Sequence, residues 1–169
     1  SGTSYVTKKV SSFYGAHLPN DLMKDKLDNI GGHYESNAIS SLNESILQSL
    51  NSSWYDTKIH SKESQLKAYK NYKTILSETL ENSFPNKNKI VIKDPRLTKL
   101  YYLWEACLID NGYSIDIISI TRAPSQIIPS LIKRDGFSKI YAELLTFSYH
   151  LSLLDISNVF HKKLMHEIC

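Results

Sequence analysis

Ile90-Val91-Ile92-Lys93-Asp94-Pro95-Arg96 and, further along, Ile115-Asp116-Ile117-Ile118-Ser119-Ile120-Thr121-Arg122 are the two stretches on which the fold of this chain turns. Each opens on a short β-branched run, the second broken only by Asp116 and Ser119, and such runs mark strands buried on both faces of a parallel sheet. Between them Leu100, Leu103, Trp104, Cys107 and Leu108 recur at helical spacing, and Asn111-Gly112 supplies a C-cap. Strand, helix and strand in so short a span predict a βαβ unit, and with it the α/β class and a parallel sheet flanked by helices.

Outward from this unit the pattern is helical. Val6, Val10 and Phe13 lie behind Ser1-Gly2-Thr3-Ser4 and ahead of Gly15, which predicts a short amphipathic helix. Ile39, Leu42, Ile46 and Leu50 predict a second, capped by Ser36 or Asn37 and ended near Asn51. A third covers about Ser61 to Asn82, with Pro85 to Lys89 as the loop behind it. Pro124 is placed to open another helix as its first residue, and a long periodic segment from about Lys139 to His166 follows the Asp135-Gly136 break. Pro129 inside the Pro124 helix removes one backbone hydrogen bond and should kink it just before Ser130. With no strand ahead of Ser1 and none behind the last helix, residues 1–169 read as a single α/β domain, incomplete at both ends and cut from a longer chain.

The 169 residues carry 20 Lys and Arg against 17 Asp and Glu, a net charge of +3 that is too small to announce nucleic acid. No apolar run approaches a bilayer span, and no basic segment followed by an apolar stretch marks a secretory signal. Cys107 and Cys169 make neither a disulfide scaffold nor a metal cluster, and the six histidines lack ligand spacing, so the expectations are a reducing, cytoplasmic setting and no metal. Of the 20 basic residues only Arg96, Arg122 and Arg134 are arginine. In a chain that otherwise uses Lys, a retained Arg points to a place where a planar fork grips a carboxylate or phosphate. Arg134, between Lys133 and Asp135 at a helix end, reads as an ordinary surface residue.

Four places can carry chemistry. Ser1, Gly2, Thr3 and Ser4 at a helix start gather backbone N–H groups, hydroxyls and the positive end of the dipole, an anion site suited to phosphate, although a plain N-cap has the same composition. Arg122 at a strand end, with Ser130 one helix on, can grip a second phosphate. Lys93 and Arg96 leave the other strand in the same manner, and Asp94 can orient either. Glu35 and His33, beside Gly31-Gly32 on a connection, can each take a proton. A Walker-type loop would need Gly-Lys before its Ser or Thr, and that Lys is missing.

Taken in order, Ser-Gly-Thr-Ser opening a helix, the glycine loop ending in Glu35, Ile-Lys-Asp-Pro-Arg, and Thr-Arg-x-Pro-x(5)-Ser resemble the sulfotransferases that use PAPS (3′-phosphoadenosine 5′-phosphosulfate). The nearest likeness is to the bacterial carbohydrate-type branch, with features shared with the tyrosylprotein branch. The resemblance implies a P-loop-like three-layer sandwich and transfer of a sulfuryl group from PAPS to a hydroxyl of a carbohydrate or other acceptor, without a metal. It assigns Gly2, Thr3 and Ser4 to the 5′-phosphosulfate loop, Arg122 and Ser130 to the 3′-phosphate, Lys93 to the leaving group and Glu35 to the acceptor proton, with His33 next in line. Two other readings stand beside it: a P-loop nucleotide kinase, and a non-catalytic nucleotide- or glycan-binding module.

Overall fold

The computed structural model describes residues 2–23 and 34–167. These residues form an all-helical fold without a sheet, which corrects the expected α/β, P-loop-like sandwich. The six helices are α1 (Gly2–Tyr14), α2 (Asn37–Ser49), α3 (Lys62–Ser83), α4 (Tyr101–Asp110), α5 (Pro124–Asp135) and α6 (Lys139–Glu167), with a 3-10 turn at Pro95–Thr98 ahead of α4.

The correction has a physical cause at each supposed strand. A strand exists only where a partner takes up its N–H and C=O groups. Among the described residues Ile90 finds one such partner, His17, in an isolated parallel bridge: the His17 N–H donates to the Lys89 carbonyl at 2.9 Å and the Val91 N–H to the His17 carbonyl at 3.0 Å. Ile90 and Ile92 then spend their side chains packing against the helical core. Ile115 to Ile120 has no ladder partner among the described residues, and Ile118 is exposed.

The chain divides into two compact units, residues 1–54 with 61–116 and residues 55–60 with 117–169. In the first, α2, α3 and α4 share one apolar core around Ile39, Ile46, Leu76, Phe84, Leu103 and Trp104. The α2 stripe buries as its spacing predicts, and Ser36 is its N-cap, accepting from the Ile39 N–H at 3.0 Å. Ser61 caps α3 in the same way through the Ser64 N–H. The N-terminus of α4 lacks a local side-chain cap; buried Gln65 of α3 supplies one, accepting from the Tyr102 N–H at 3.0 Å. Gly15 ends α1 and Gly112 follows α4, both at positive φ, where a Cβ would be strained.

In the second unit α5 and α6 pack against each other. Pro124 is the first residue of α5, as the sequence predicts, and Gly136, at φ 70°, is its left-handed C-cap at the expected Asp135-Gly136 break. Residues 55–60 are tied to the start of α6, where the Tyr141 hydroxyl donates to the Tyr55 carbonyl at 2.6 Å and Phe137 stacks edge-on with Tyr141. Among the described residues no helix is long and apolar enough to cross a membrane.

Candidate functional site

Glu35 is the residue immediately before the α2 N-cap, and its backbone is held from both sides. Its carbonyl accepts from the Met23 N–H at 2.8 Å, and Leu22 bridges Ser36 in antiparallel fashion. Asp21 clamps the next turn: one carboxylate oxygen accepts from the Ala38 N–H and from the Ser36 hydroxyl, each at 2.8 Å. Burial by itself would raise the Asp21 pKa, but these hydrogen bonds outweigh it and hold the carboxyl below its ordinary value. On the other side Tyr34 has φ 53°, a left-handed conformation unusual for a bulky residue. The carboxylate that follows is therefore aimed by a strained, well-anchored turn.

What it meets is Lys93. The Lys93 ammonium donates to Glu35 Oε1, joining residues 58 positions apart in a pair whose side chains are 14% and 9% exposed. Taking both charges out of water is costly, and only close pairing offsets that cost. Lys93 reaches this position because the His17 bridge fixes Ile90 and the 3-10 turn at Pro95 fixes the chain after it.

Asp94 and Arg96 belong to a separate network that ties α2 to α4. Trp104 Nε1 donates to Asn43 Oδ1 at 2.7 Å, Asn43 Nδ2 donates to Asp94 Oδ2 at 3.1 Å, and Asp94 Oδ1 accepts from the Arg96 backbone N–H at 2.8 Å and from Arg96 Nη1 at 3.1 Å. Arg96 Nε donates onward to Glu44. Burial opposes the charge on Arg96, yet the two carboxylates more than compensate and raise its pKa. The Arg96 fork thus serves carboxylates of its own fold, and Asp94 orients Arg96.

Gly2, Thr3 and Ser4 form the first turn of α1 itself, in the same unit as Glu35 and Lys93; Ser4 is buried, and Thr7 Oγ1 donates to the Thr3 carbonyl at 2.9 Å. Ser1 and His33 lie outside the described residues. Arg122 and Ser130 lie in the second unit, Arg122 exposed ahead of Pro124 and Ser130 exposed on α5 directly after Pro129. Arg122 and Ser130 make no ion pair or hydrogen bond with each other. Among the described residues no group of His, Cys, Asp and Glu is arranged to hold a metal ion.

Two residues of the site escaped sequence reasoning. Asn43 is a fully buried amide inside the apolar stripe of α2, and that break in the stripe was the available signal. Asp21 acts across fifteen residues on the start of α2, and no local pattern announces it. No family model, curated protein or solved structure matches this chain.

Proposed function

We propose that this chain is a PAPS-dependent sulfotransferase acting on a hydroxyl of a carbohydrate or similar acceptor. The observation that carries the reading is the Lys93–Glu35 pair, a cation and a carboxylate whose separate motifs name them for the two ends of one transfer. In that transfer the acceptor oxygen forms its bond to sulfur in line as the bond from sulfur to the bridging phosphate oxygen breaks. Glu35 receives the proton of the acceptor hydroxyl. Lys93 compensates the negative charge gathering on the departing 3′,5′-ADP, so electrostatics and positioning supply the catalysis without a metal. The first turn of α1, with its N–H groups, hydroxyl residues and positive dipole end, suits the sulfated 5′ end of the nucleotide.

The test is transfer of labelled sulfate from PAPS to a panel of carbohydrate acceptors. Glu35→Gln should retain nucleotide binding and lose transfer by a factor of about 10²–10⁴, the usual contribution of a general base. Undiminished turnover in that variant removes Glu35 from the chemistry. A non-catalytic nucleotide- or glycan-binding module is the second reading, favoured by the way Lys93 and Glu35 neutralise each other directly. It requires binding without turnover, indifferent to Glu35→Gln.

A further inference from the structure

α6 carries apolar side chains on two sides. One face is buried, through Ala142, Leu145, Ser148, Ser152 and Ile156. The other exposes Ile140, Leu144, Phe147, Leu151 and Leu154, from 38% at Leu151 to 71% at Ile140. Their spacing alternates four and three residues, which is the seam of a coiled coil. An apolar stripe of this regularity in water calls for a second helix. α5, the helix packed against α6, buries none of its own residues.

We propose that a second copy of this chain covers the stripe, the two α6 helices packing antiparallel about a two-fold axis level with residues 145 and 146. In that register Ile140 stacks on Leu151 of the second copy and Leu144 on its Phe147, and the axis repeats both layers. Glu143, on the flank of the seam, then stands opposite His150 of the second copy, twice over. The antiparallel arrangement also sends the α5–α6 turn, where Lys133, Arg134 and Lys139 outnumber the Asp135 paired with Arg134, to opposite ends of the pair, whereas a parallel one would bring the two turns together. Five side chains this exposed offer on the order of 100 Å² each, so two copies bury at most roughly 1,000 Å², the lower bound for a specific interface and the size of a weak, concentration-dependent dimer.

Sedimentation equilibrium of the full 169-residue chain tests this. The expected mass is twice the 19.3 kDa of the chain. Leu144→Lys with Phe147→Lys should raise the dissociation constant by about tenfold or more per side chain, with the far-ultraviolet circular dichroism unchanged. The orientation is tested separately by charge: Glu143→Lys weakens the dimer, and adding His150→Glu restores it, because the reversed pair meets across an antiparallel seam. In a parallel seam His150→Glu would face Asp155 and weaken it further. A monomer at about 100 µM, a dimer indifferent to the two lysines, or a charge reversal that fails to restore association each overturns the proposal.

Discussion

Lys93 and Glu35 are the residues on which function and stability meet. Removing one member of a nearly buried pair strands the other, so Lys93→Met should destabilise the chain by about 3 kcal/mol in urea denaturation. Adding Glu35→Gln should recover most of that loss, because the double variant leaves no unpaired charge; equal and additive losses would show that the two groups act independently. The pairing itself could not be read from the chain, since it joins a pre-helical turn to a loop 58 residues away. Each member was visible singly, as an acid on a glycine-bearing connection and a cation after a β-branched run. Cys107 shows the opposite case, where the local pattern sufficed. Its position on the apolar side of α4 predicts burial, and it is fully buried, its thiol pushed up to about 11 mainly by burial and further by the Asp110 charge. Iodoacetamide at neutral pH should leave the Cys107 peptide unmodified in the native chain and label it on unfolding, as mass spectrometry would show; rapid labelling of the native chain would contradict this burial.

All six helices were legible because their signals are local: an apolar period, a serine cap, a proline at the first position and a glycine behind the last. The supposed strands were misread because a β-branched run specifies only an extended, apolar stretch. Its pairing depends on what else the chain can offer, and among the described residues Ile90 is offered His17 alone. The start of α2 carries a testable electrostatic consequence. Asp21 is held below its ordinary pKa by the Ala38 and Ser36 hydrogen bonds, so on acidification the unfolded chain takes up this proton before the folded one does. The stability it contributes is complete above about pH 4 and is lost as the pH falls through the lowered value. Asp110 adds to the same acid limb: hydrogen bonds from Lys73 and Tyr69 lower it likewise. Asp21→Asn should cost about 1 kcal/mol at neutral pH and flatten the fall in stability below pH 4, measured by urea titration at several pH values. An acid limb unchanged by Asp21→Asn would mean that other carboxylates set it.

At the level of the whole molecule, the expected sheet gives way to a three-helix core in one unit and a helix pair in the other. The residues that suggested a nucleotide are shared between these units: Gly2 to Ser4, Glu35 and Lys93 in the first, Arg122 and Ser130 in the second. The proposed function requires a site for the 3′-phosphate, the group that distinguishes its nucleotide from ATP. Isothermal titration of the full chain with 3′,5′-ADP, with ATP and Mg²⁺ as comparison and Arg122→Ala as control, addresses this requirement directly. The proposed function requires a preference for 3′,5′-ADP that falls by about 1.5–3 kcal/mol in Arg122→Ala, the worth of one charge-assisted hydrogen bond. A folded chain that binds neither nucleotide, or that binds both equally and is indifferent to Arg122, would contradict it.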